Sequence, residues 1–171
     1  MLIGLGDNVP YFIMDVQAMI DKQAIVQMAE AYAGEHGLFL VDVTVLKGNR
    51  IIIYIDSMQG VNIDDCAGLS RHIESLLNRE EQDFELEVSS PGLDHPLKHP
   101  MQYEKNLGKE LRVMLRDGKT YTGKLLYYTK ELLVLEVEKT MKEGNKKRKF
   151  TAAENISLAE IKQTKVKLSF K

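Results

Sequence analysis

The sequence predicts an α+β protein built from two small domains. The first is an αββαβ unit in which two helices lie on a three-stranded sheet, and the second is a small β-barrel. Three observations lead there. Hydrophobic spacing mixes helical and alternating periods before about residue 90, then turns to short, closely spaced strands. A polar crossing punctuated by Pro91, Pro96 and Pro100 separates the two stretches. Charge divides at the same place: residues 1–92 hold 5 Lys+Arg against 15 Asp+Glu, net −10, and residues 93–171 hold 18 against 10, net +8.

Residues 1–18 show no clean period of either kind and are expected to form a poorly ordered leader, with Met1, Met14 and Met19 all open as translation starts. From Asp21 onward Ile25, Met28, Ala29, Tyr32 and Ala33 recur at helical spacing, with Asp21 as N-cap and Gly34 or Gly37 as the stop. Leu38–Leu46 and Arg50–Ile55 read as a hairpin around Lys47-Gly48-Asn49. Asn62 caps a second helix whose buried stripe is Cys66, Leu69, Ile73, Leu76 and Leu77. Phe84, Leu86 and Val88 alternate with polar residues in a strand ending at Ser89, which completes the domain at residues 19–92.

The linker is expected at about residues 91–98, with Gly92 supplying a positive φ for its turn. In the second domain, residues 93–171, a short helix is expected at Met101–Lys105 behind Pro100. Strands then follow at Lys109–Leu115, Thr120–Tyr128, Leu132–Val137 and Arg148–Ala152, with the last in Ser157–Leu168. Between Leu132–Val137 and Arg148–Ala152 the segment Glu138–Lys147 reads as a flexible loop.

Composition excludes several classes. At 44% hydrophobic and 28% charged residues the chain is globular, and no run approaches the roughly 18 apolar residues of a membrane span. A single cysteine permits no internal disulfide, and the N-terminus lacks the order of a secretory signal, so a cytoplasmic protein with no membrane contact is expected.

The run Leu86 to Leu97, LEVSSPGLDHPL, closely resembles the hallmark of the bacterial ribosome maturation factor RimP family, which usually carries arginine where this chain has His95. Domain order and spacing resemble that family from about Asp21 onward, and Leu111–Val137 resembles an Sm-like or SH3-like barrel. The resemblance implies a non-enzymatic factor for maturation of the small ribosomal subunit, without cofactors. It also implies binding of the immature subunit and, through the C-terminal barrel, of small-subunit ribosomal protein twelve. A monomer is expected; a general Sm-like RNA-binding module, oligomeric in its ring form, is the alternative. Ser89, Ser90, Pro91, Gly92, Asp94 and His95 are then expected to form an interdomain or docking loop, the serine hydroxyls satisfying backbone groups where the strand ends.

Other chemistries fit less well. His95 and His99 stand four apart beside Asp94, but the prolines argue against a shared helical face for metal ligation. A Ser89 or Ser90 nucleophile with His95 as base lacks the Gly-x-Ser-x-Gly elbow, and Pro91 removes an amide. Gly34-Glu-His-Gly37 matches a KH-type GxxG in letters alone, because a strand pattern follows it.

The strongest binding signal is Lys139–Lys149, with six positive charges and one negative. Lys142, Lys146, Lys147, Arg148 and Lys149 are the expected RNA contacts, with Arg112, Arg116, Lys119 and Lys124 widening the patch. Because protein twelve is strongly basic, Asp117, Glu131, Glu136, Glu138 and Glu154 are expected to form a separate acidic face for it.

Overall fold

Helix α1 (Lys22–Glu35) begins where the Asp21 carboxylate accepts the Gln23 amide at 3.0 Å. It ends at His36, followed by Gly37 at φ 67°, so that the Leu38 amide reaches back to the Ala33 carbonyl at 2.9 Å. This computed structural model describes residues 19–168; the expected disordered leader, residues 1–18, lies outside them.

Strands β1 (Phe39–Leu46) and β2 (Arg50–Asp56) pair antiparallel. Helix α2 (Ile63–Leu76) follows, opened by a reciprocal capping box between Asn62 and Asp65. It carries the chain over to β3 (Glu85–Ser89), which lies parallel to β2, giving the order β1-β2-β3. Ile25, Ala29 and Ala33 of α1 and Leu69 and Ile73 of α2 pack with Val43, Ile51, Ile53 and Ile55 of the sheet. Three members of the expected α2 stripe depart from it: Cys66 and Leu77 are half-buried, Leu77 standing at the C-cap, and Leu76, the last helical residue, is exposed.

Asn49 holds the sheet to its surroundings. Its Oδ1 accepts the Ile20 amide at 2.8 Å, its Nδ2 donates to the Asp83 carbonyl at 3.2 Å, and its own carbonyl accepts the Glu85 amide at 3.1 Å. At φ 56° it occupies backbone space that alanine tolerates poorly. Asn49→Ala is therefore expected to cost about 2 kcal/mol in urea unfolding, with Asn49→Gly losing the two side-chain bonds but not the backbone fit. Equal midpoints for wild type and Asn49→Ala would contradict this.

Contacts divide the chain into two compact units between Ser90 and Pro91. In the second, helix α3 (Pro100–Lys105) precedes β4 (Glu110–Leu115), β5 (Thr120–Tyr128), β6 (Leu132–Glu143), β7 (Lys146–Ser157) and β8 (Ile161–Val166), with a 3-10 turn at Leu158–Glu160. The five strands form an antiparallel sheet in the order β7-β6-β5-β4-β8. Leu111, Val113, Leu125, Leu133, Leu135 and Ile156 form its core, and the Tyr103 ring stacks on Tyr128 at 4.4 Å. Among the described residues no helix is long and apolar enough to cross a membrane.

One expectation fails clearly. Glu138–Lys147 is not a loop: β6 and β7 pair without interruption from Leu132↔Ser157 to Glu143↔Lys146, closed by a tight turn at Gly144-Asn145. The polar residues read as loop because they bury nothing, yet backbone hydrogen bonding and cross-strand ion pairs extend the ladder through them.

Candidate nucleic-acid interface

Strand β5 stops pairing with β6 at Lys124↔Glu136, so beyond that point β6 has only β7 beside it. Every residue from Glu138 to Thr151 is exposed. The hairpin therefore leaves the sheet as a two-stranded arm of six residues per side past Val137, about 20 Å long at the rise of a strand.

Strand alternation sorts its side chains onto two faces. Thr140, Lys142, Lys147 and Lys149 share one, with Lys142 directly opposite Lys147. Lys139, Met141, Glu143, Lys146, Arg148 and Phe150 share the other, with Glu143 directly opposite Lys146. Three ion pairs cross the ladder: Lys149 with Glu138 at 2.7 Å, Arg148 with Glu143 at 3.9 Å, and Lys139 with Glu154. The Glu138 carboxylate hydrogen-bonds Lys149 and holds its pKa above the usual lysine value, so it stays charged. Lys142, Lys146 and Lys147 have no ion pair among the described residues. Like charges placed face to face weaken a ribbon that is already marginal by itself, so the arrangement does not serve the fold.

Of the residues expected to contact RNA, Lys142, Lys146, Lys147, Arg148 and Lys149 come together on this arm. The other four lie outside the arm, on the body of the sheet and the β4–β5 turn. Lys124 sits on the sheet between Glu110 and Glu136. Arg112 lies between Thr122 and Lys165. Arg116 donates from Nε to the Ala159 carbonyl at 3.0 Å, which ties it to the Leu158–Glu160 turn, and Lys119 lies 4.0 Å from the Asp117 carboxylate within the β4–β5 turn.

The expected acidic face is not separate from the basic arm. Glu138 and Glu154 are paired with arm lysines, Asp117 pairs with Lys119, and Glu136 stands opposite Lys124. Charge alternation along the strands brings acids and bases together rather than sorting them by face.

The crossing segment is plainer than its sequence suggests. Ser89 ends β3 opposite Tyr54, Ser90 is exposed, and neither hydroxyl hydrogen-bonds another described residue, contrary to expectation. Pro91 is half-buried, whereas Gly92, Asp94 and His95 are exposed. Gly92 does not use the left-handed region; the turn closes through the His95 amide on the Gly92 carbonyl at 2.9 Å. His99 has a structural role, its Nδ1 accepting the Met101 amide at 3.2 Å while Gln102 accepts the His99 and Lys98 amides at 2.9 and 2.7 Å. Sequence reasoning missed this cap, since histidine is an unusual N-cap; the Gln three residues on was the available signal. No cluster of three or more metal-ligating side chains occurs among the described residues.

Comparison with known proteins adds two findings. Residues 28–94 match the family described as RimP N-terminal domain. The chain is 45% identical over 147 residues to a ribosome maturation factor RimP of Porphyromonas gingivalis, covering 85% of this chain and 97% of that protein. A protein of the same name from Christiangramia forsetii is 34% identical over 152 residues, 87% of this chain and 99% of its own. Another, from Flavobacterium psychrophilum, is 41% identical over 120 residues, 70% and 71% of the respective chains.

Proposed function

The chain belongs to the ribosome maturation factor RimP family, and we propose on that premise that it is a non-enzymatic, cytoplasmic factor for maturation of the small ribosomal subunit. It binds the immature subunit through ribosomal RNA, binds a small-subunit ribosomal protein, protein twelve, through its second unit, and promotes that protein's incorporation into the subunit. The observation that carries the reading is likeness over nearly the whole length of a protein so named, 97% of it. The β6–β7 arm supports it physically. Lys142 and Lys147, which face each other across the ladder and make no ion pair among the described residues, can displace counterions from a phosphate backbone. No bond is made or broken: the factor raises a partner's effective concentration at its site and holds an intermediate open to it.

Sucrose-gradient sedimentation of a lysate tests the reading. The protein is expected to travel with small subunits and to be absent from fully joined ribosomes; migration as free protein alone would refute it. Size exclusion is expected to give a monomer, whereas a hexamer or heptamer would favour a general Sm-like RNA-binding ring.

A further inference from the structure

The two faces of the arm differ in more than charge. The face with Lys142, Lys147 and Lys149 carries no large apolar side chain. The other exposes Phe150 by 42% and Met141 by 48%, diagonal neighbours on adjacent strands. Each stands directly opposite a cation, Phe150 opposite Lys139 and Met141 opposite Arg148. Two large apolar groups on a bare ribbon have no core to join, and their exposure is unfavourable unless something covers them.

We infer that this face holds an unpaired stretch of RNA, with a base stacked on the Phe150 ring beside Met141 and the flanking phosphates on Arg148 and Lys146. The inference rests on the arm being an RNA contact and adds which class of RNA it takes. Charge complementarity selects RNA over a protein as the occupant. Phe150 lies beside Lys139 and Arg148, and although Glu154 and Glu143 each meet one of them, the arm from residue 138 to 151 carries six cations against two carboxylates, an excess for which a nucleic acid brings the counter-charge. Stacking selects the unpaired form. A base in a duplex already has both faces occupied, and the A-form major groove is too narrow for a ribbon to enter. An exposed aromatic ring flanked by cations suits a splayed base whatever its identity.

The chain contains no tryptophan, so Phe150→Trp places a single indole at the proposed stacking position. Its emission is expected to be quenched by a short single-stranded oligoribonucleotide and unaffected by a blunt duplex of the same length. Phe150→Ala is expected to weaken single-strand binding about tenfold at an unchanged salt dependence, and to leave duplex binding and the unfolding temperature as in wild type. An indole that ignores the single strand, or a Phe150→Ala loss equal for both RNAs or absent from both, would overturn the inference. So would a Phe150→Ala variant that keeps both RNAs but no longer binds a ribosomal protein. The Lys142→Ala, Lys147→Ala double variant separates the two levels. If it weakens both RNAs while Phe150→Ala affects neither, the arm holds phosphates alone and stacking is wrong. If neither variant changes binding of either RNA, the RNA reading of the arm falls as well.

Discussion

Gly123→Ala is expected to lower the stability of the second unit by about 2–3 kcal/mol, a drop of roughly 10 °C or more in its unfolding midpoint. Gly123 lies on β5 opposite Leu111 of β4, close under β6. A Cβ at this position would overlap the Glu136 carbonyl oxygen and lie 2.9 Å from its carbonyl carbon. Both atoms are backbone, so no rotamer change relieves the clash. Relief requires pushing β6 away from β5, which disturbs the packing of Leu133 and Leu135 and shifts the root of the arm. Thermal unfolding by circular dichroism measures the loss, and hydrogen exchange at the β5 and β6 amides localises it. A midpoint equal to that of wild type would show that β6 yields freely, contrary to this packing.

Removing Lys142 and Lys147 together, as alanines, is expected to reduce affinity for immature small subunits about tenfold. The slope of log affinity against log salt should fall by about 2, one for each phosphate that no longer meets an ammonium group. Stability should hold or rise slightly, because the two ammonium groups face each other across the ladder. Lys149→Ala should do less, since Glu138 already offsets the Lys149 charge. Binding measured across a salt series decides the matter: an unchanged slope in the double variant would mean that the phosphates are held elsewhere.

Much of the first unit was readable because its signals are local. Asp21 and Asn62 cap the helices they were expected to cap, and Ile25, Ala29, Ala33, Leu69 and Ile73 recur at the helical period that buries them. Phe84, Leu86 and Val88 likewise turn inward while Glu85 and Glu87 stay out. The arm was read correctly for charge and wrongly for shape. Strand formation there depends on a partner that buries nothing, so no apolar alternation marks it. Asn49 was legible as a turn residue, but its bonds to Ile20 and Asp83 span 29 and 34 residues and leave no trace in local pattern. Neither the position of Arg112, Arg116, Lys119 and Lys124 off the arm nor the neutralisation of Glu138 and Glu154 could be seen without strand register.

The parallel pairing of β3 with β2 also governs when the first unit can fold. Ile53 meets Val88, a residue far along the chain, so the first unit's sheet waits on a distant closure, and its last strand ends one residue before the division at Ser90. During synthesis this unit stays incomplete until that strand has left the ribosome. The β6–β7 ladder grows outward from a tight turn by contacts between near neighbours, a microsecond event. The β6–β7 ladder is thus the quickest part to zip, whereas each unit completes its sheet through a distant pairing, Ile53 with Val88 in the first and Leu111 with Val166 in the second.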